Sequence, residues 1–148
     1  MPFSNLQSSI DHVRLDTNVI SELRHGKPNQ SPAVRAWATG QLSSSFYLSA
    51  ITLLELEMGV KALERKTPPQ GSALRIWIGS VRAAFSGRIL SFTENTAPIC
   101  ASLHIPNPRS DRDAMIAATA IEHGFTVVTR NEIDFVQAGV KIINPWHV

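Results

Sequence analysis

Apolar residues along the chain recur with two different periods. Short runs rich in β-branched and aromatic residues fall at 12–16 (HVRLD), 45–49 (SFYLS), 88–92 (RILSF), 125–129 (FTVVT) and 140–143 (VKII), each with the length and composition of a buried strand. Between most of them the spacing changes to three and four. Ser31-Pro32 offers a helix N-cap followed by proline at the first helical position, and Val34, Trp37 and Leu42 extend an apolar face beyond it. A second helix is predicted over Thr52–Lys66, and a third starts near Gly71 and carries Leu74, Trp77, Ile78, Val81 and Phe85. A fourth spans Glu94–His104. The last, Asp113–His123, is apolar almost all round and should be buried. Strands alternating with helices predict an α/β fold whose parallel sheet is covered on both faces.

The chain shows no internal repeat or low-complexity tract, only turn-rich breaks at 66–72 (KTPPQGS) and 105–110 (IPNPRS). Its 148 residues suit one domain, read as residues 13–148, preceded by a polar N-terminal extension over 1–12. That extension lacks the basic and apolar regions of a signal peptide, and no apolar run approaches a membrane span. A cytoplasmic location is therefore expected. The apolar fraction of 43% and charged fraction of 18% are those of an ordinary globular protein. Cys100 is the single cysteine, which excludes an internal disulfide framework and a cysteine-based zinc site. The formal charge of +2 is spread over dispersed basic residues, so it permits a polyanionic substrate without demanding one.

In an open α/β sheet, ligands collect beyond the carboxyl ends of the strands. Four acids fall in such places: Asp16 ends the first strand, Glu55 lies in the first predicted turn after the second, Asp113 opens the buried helix, and Asp134 follows the fourth strand. Taken singly, three have ordinary readings. Asp16 can form an Asx-turn or cap a helix over Asn18–Leu23, Asp113 can complete a capping box with Ser110, and Asp134 can be a surface acid. Glu55 is harder to dismiss. On the same helix Glu57, Lys61, Glu64 and Arg65 share a charged arc with a favourable Glu57–Lys61 spacing, whereas Glu55 aligns with Ile51, Gly59 and Ala62 and has no cation one turn away. An unpaired carboxylate turned inward is costly unless it is protonated or meets a cation. Converging acids without cysteine or paired histidines suggest Mg²⁺, with Mn²⁺ as an alternative, and such ions commonly serve phosphoryl chemistry. His25, His104, His123 and His147 lack paired ligand spacing and are assigned no chemistry.

The motifs LDTNVISEL, SAITLLELEMGV, DAMIAATAIEHG, VVTRNEIDF and INPW, in that order, resemble the PIN-domain ribonucleases, in particular the VapC-type toxins and the FitB-like proteins. The resemblance runs from about residue 13 to the C-terminus. It implies a three-layer PIN-like domain, a parallel five-stranded sheet flanked by helices, and divalent-metal-dependent cleavage of RNA by a water nucleophile. By motif, Asp16, Glu55 and Asp113 match the family's main metal-binding acids and are the candidate catalytic residues. For a fourth, relatives often place an acid directly after the TR pair. Here that position is Asn131, and Asp134 is the candidate. Asn18, Thr129 and Asn131 are candidates for positioning water or substrate, Thr129 with an ordinary strand-end hydroxyl as its alternative. The resemblance further implies a small cognate antitoxin that masks the pocket, a homodimer, and contact with DNA only through that antitoxin.

A different class of function remains open: a catalytically weak subunit that acts with its antitoxin as a DNA-bound regulator, weakened by the neutral Asn131. A phosphorylated receiver would need adjacent acids at the first strand end, where Leu15 precedes Asp16. A dehalogenase-like phosphatase would need an acid at position 18, which is asparagine.

Overall fold

Every strand pairs in parallel, and the five form one sheet in the order β3-β2-β1-β4-β5 in a computed structural model that describes residues 12–147. The strands are β1 (Val13–Leu15), β2 (Phe46–Ser49), β3 (Ile89–Leu90), β4 (Thr126–Val128) and β5 (Ile142–Ile143). All five lie inside the runs predicted from the sequence. The helices are α1 (Thr17–Glu22), α2 (Pro32–Thr39), α3 (Ala50–Lys66), α4 (Pro68–Ala84), α5 (Thr96–Leu103), α6 (Asp111–His123) and α7 (Glu132–Val136). The N-terminal extension lies outside the described residues. No helix among the described residues is long and apolar enough to cross a membrane.

β1 is central, pairing with β2 (Val13 opposite Phe46) and with β4 (Leu15 opposite Val128). Its side chains alternate between two cores, as a strand covered on both faces requires. Val13 and Leu15 join Leu48, Leu56, Val60, Ile78 and Val128 under α1, α3 and α4. On the other face Ile116, Ala117 and Ala120 of α6 pack with Val127, Phe135 and Val140. Arg14 must then point into that second face, where it is fully buried and donates from Nη1 to the Ile116 carbonyl at 2.8 Å.

Several helix boundaries differ from expectation for local reasons. The Ser31 hydroxyl caps α2 by accepting from Val34 N, but the helix ends at Thr39, with Gly40 as its C-cap, before reaching Leu42. Ser49 caps α3 through Thr52 N at 3.0 Å, so that helix starts at Ala50 and Glu55 sits in its second turn, not its first. Two prolines at its N-terminus start α4 at Pro68. Gly71 then lies against α3 so closely that a Cβ would collide with the Glu64 backbone. α6 begins at Asp111, which puts Asp113 in its first turn, and it closes on Gly124 at φ 69°, a left-handed cap suited to glycine. The short helix α7 has no counterpart in the predicted elements, and it carries Asp134 in its first turn.

Candidate functional site

The carboxyl ends of β1, β2 and β4 open onto one cleft of about 270 Å³, lined by Asp16, Thr17, Asn18, Glu55, Asp113 and Asn131. Three of the four predicted acids therefore share it. Asp134 stands beside the cleft, in an adjoining hollow of about 230 Å³ whose lining includes Asp113, Ser110 and Arg109. Asp113 is the link between the two.

Asp16 ends β1 and caps α1, so its backbone is fixed at both sides. Its Oδ1 accepts from Thr17 N at 2.8 Å, and its Oδ2 accepts from the Thr129 hydroxyl at 2.8 Å and more weakly from Asn18 Nδ2 at 3.4 Å. The helix-cap reading of this residue is thus correct, and it coexists with a place in the cleft. Burial pushes the Asp16 carboxyl above its ordinary range, against the opposing pull of Thr129, Thr17 and Arg14. Thr129 is itself buried at the end of β4 and receives Asn131 N at 3.0 Å. Asn18 is turned by the opposite contact, accepting from Arg130 N at 3.3 Å. Thr129 and Asn18 thereby form a hydrogen-bonded frame around one carboxylate.

Glu55 meets two neighbours that sequence spacing did not reveal. Thr17 donates its hydroxyl to Oε1 at 2.6 Å, and Arg112 Nε lies 3.4 Å from Oε2. The expectation that Glu55 lacks a cation is corrected: the cation comes from α6, across the cleft. The inward orientation is corrected too, because Gly59 and Ala62 on the same arc are exposed, and the Glu55 side chain is 22% exposed against 24% for Glu57. The Glu57 arc faces solvent at Lys61 and Arg65 but is partly covered at Glu57 and Glu64. Arg75 of α4 reaches over it and binds Glu57 and Glu64 together, in place of the Glu57–Lys61 pair expected from spacing.

Asp113 is half-buried, and burial is the first cause that raises its carboxyl above the ordinary range. The like charges of Asp134, Asp16 and Glu55 add to it in that order. Ser110 pulls the other way, and its hydroxyl makes no cap bond to the α6 backbone, so the capping-box reading fails on that side. Asp134 is exposed.

Behind the cleft, burial pushes the Arg14 guanidinium down to about 10 even with Asp16 and Glu55 nearby. Among the described residues its Nε and Nη2 find no hydrogen-bond partner. Arg14, Thr17 and Arg112 are the cleft's neighbours that sequence reasoning missed. A signal existed for Arg14: an arginine between two apolar residues on a doubly covered strand has no route to water.

Oxygen donors alone line the cleft, which suits a hard divalent cation. Among the described residues, no three acidic, histidine or cysteine side chains stand close enough to hold a metal ion directly. Mg²⁺ dehydrates reluctantly and keeps several waters, so a ring of carboxylates that approaches it partly through water is compatible with its chemistry. The raised Asp16 and Asp113 carboxyls fit the same group, since a cation would relieve the mutual repulsion.

The chain is similar along nearly its whole length to known proteins. It is 41% identical over 143 residues to the VapC ribonuclease Y4jK of Sinorhizobium fredii, covering 90% of this chain and 97% of that protein. It is 39% identical over 140 residues to Toxin FitB of Neisseria gonorrhoeae, covering 91% and 99%. Among solved structures, FitAB bound to an IR36 DNA fragment superposes with a TM-score of 0.81 at 36% identity, covering 92% of this chain and 96% of that one. With the PIN domain profile matching residues 13–141 and relatives of this identity aligned nearly end to end, the chain belongs to the PIN-domain family.

Proposed function

We propose that this protein is a divalent-metal-dependent endoribonuclease, the toxin of a toxin–antitoxin pair, and that Asp16, Glu55 and Asp113 form its catalytic, metal-binding centre. The observation that carries the reading is the meeting of these three acids in one cleft at the carboxyl ends of β1 and β2 and the start of α6, with two of their carboxyls raised. The names of the relatives, a ribonuclease and a toxin, support it.

Asp16 and Asp113 would hold the ion, Mg²⁺ or Mn²⁺, with Glu55 completing the ring and Asp134 adding negative charge from the adjoining hollow. Bound there, such an ion supplies electrophilic assistance to a phosphodiester and lowers the pKa of a water. The chain's own residues do the positioning. Thr129 fixes the Asp16 carboxylate, Asn18 braces both, and Asn131 offers a neutral amide at the cleft wall where a water or a phosphate oxygen can be received.

The FitAB complex on DNA, in which a relative of this chain takes part, supports a small antitoxin as the cognate partner, with DNA reached through it. A homodimer belongs to the same reading. Leu15, Ile20, Phe46, Trp77 and Phe85 line an apolar hollow of about 390 Å³ that offers a partner a surface.

Purified protein should cut single-stranded RNA with Mg²⁺ or Mn²⁺ and stop in chelator. Asp16→Asn and Asp113→Asn should each slow cleavage by at least about 10²-fold, the scale of losing one preorganised electrostatic contact in a reaction centre. Full activity in both variants would overturn the assignment. Asn131 in the cleft wall favours one alternative, a catalytically weak subunit that regulates DNA with its antitoxin. Operator binding by the complex without any RNA turnover would support that instead.

A further inference from the structure

Two arginines of this protein hold glutamates of α3, and they do so very differently. Arg75 donates four hydrogen bonds of 2.6–3.0 Å to Glu57 and Glu64. Arg112 makes one long ion pair, 3.4 Å from Nε to Glu55 Oε2, and directs Nη1 to the Met58 sulfur at 3.2 Å, a weak acceptor. Its side chain is 45% exposed. A guanidinium has five N–H donors, and most of those on Arg112 are uncommitted to protein.

Its position matters more than its strength. Arg112 immediately precedes Asp113, and it makes the only ion pair to a cleft acid among the described residues, on a Glu55 oxygen that a bound ion would also draw on. With one Glu55 oxygen held by Thr17 and the other facing Arg112, this carboxylate is engaged on both sides. That engagement coincides with the lack of any three acids close enough to share an ion directly.

We propose that Arg112 is a resident counter-ion of the cleft, a positioning residue that neutralises Glu55 in the metal-free protein and must release it for a divalent cation to bind. The inference rests on the metal-dependent reading above. A single, exposed and poorly saturated contact gives way at small cost. A divalent ion in the cleft would repel the guanidinium and attract the carboxylate, so the two cations compete for the same oxygen. Arg112 therefore sets metal affinity below what the acids alone would give.

Titration calorimetry of Mn²⁺ into the full-length chain tests this with a readout independent of RNA cleavage. Arg112→Gln removes the charge from an exposed side chain and should bind Mn²⁺ roughly three- to tenfold more tightly, the effect of deleting one unit charge several ångströms from a divalent ion near water. Arg112→Lys keeps the charge and should stay near the wild type. A gain in affinity is a direction that local damage would not produce, and circular dichroism melting of each variant checks the fold. Equal or weaker Mn²⁺ binding by Arg112→Gln overturns the counter-ion role while leaving the metal site intact. Absence of Mn²⁺ binding by the wild type would overturn both this inference and the metal-dependent reading.

Discussion

Charged residues are treated in opposite ways at the carboxyl edge of the sheet and in the α3–α4 hairpin. In the hairpin Arg75 binds Glu57 and Glu64, and the pairing holds the Glu64 carboxyl below its ordinary range and raises the guanidinium further. In the cleft Asp16 and Asp113 are both displaced upward, by burial first and by neighbouring acids after it. The hairpin acids help hold two helices together. The charged forms of Asp16 and Asp113 are disfavoured, a pattern that fits the cation site proposed for them.

The contrast breaks most sharply in Asp113→Asn. Alongside the loss of RNA cleavage already given, this variant should melt higher than the wild type in chelator, by roughly 2 °C, because it removes a repelled charge. A lower melting temperature would mean that Asp113 stabilises the fold. In the hairpin the signs reverse. Gly71→Ala drives a methyl into the Glu64 backbone and should cost about 1–3 kcal/mol in denaturant unfolding, the range for an overpacked contact, with cleavage per folded molecule unchanged.

Thr129→Val sharpens the comparison inside the cleft. It keeps the shape of the side chain but removes the hydroxyl that holds Asp16, and should lower the cleavage rate by roughly 10–100-fold, the effect of losing a partner that orients a metal ligand. A rate within twofold of the wild type would reduce this hydroxyl to a strand-end feature.

The smallest effect is in the pH dependence of stability, and its sign differs between the regions. A raised carboxyl costs the folded state nothing below its unfolded value and a growing amount above it. The stability advantage of Asp113→Asn in chelator should therefore open as pH rises from about 3.8 through the raised value of Asp113. Glu64 behaves in reverse: its contribution is present above about 4.5 and is lost as pH falls through its lowered folded value. Melting curves of Asp113→Asn, Glu64→Gln and wild type across that range check both directions.

The sheet was legible in the sequence because its strands are short, apolar and bounded by turn residues, and the Ser31-Pro32 start of α2 because a cap is a local signal. α7 was missed because five residues cannot establish a helical period. The acids at the strand ends were legible by position, and the cleft brings Asp16, Glu55 and Asp113 together. Their partners were not. Arg112 stands 57 residues from Glu55 and Arg75 stands 18 from Glu57 in the chain, so spacing rules within one helix cannot find either pair. The Glu57–Lys61 expectation failed for a related reason: the Arg75 guanidinium, from a packed neighbouring helix, spans two carboxylates at once, with Nη1 on Glu57 while Nε and Nη2 take the two oxygens of Glu64, a reach and fork that a lysine one turn away lacks.

Crystals soaked in Mn²⁺ and measured for anomalous scattering would show directly where a divalent ion goes. Density in the cleft bordered by Asp16 and Asp113, lost when the crystals are grown from Asp113→Asn, is the expected result. A map without a peak there, in crystals that leave the carboxyl edge open to solvent, would contradict the central claim that these separated acids form one cation site.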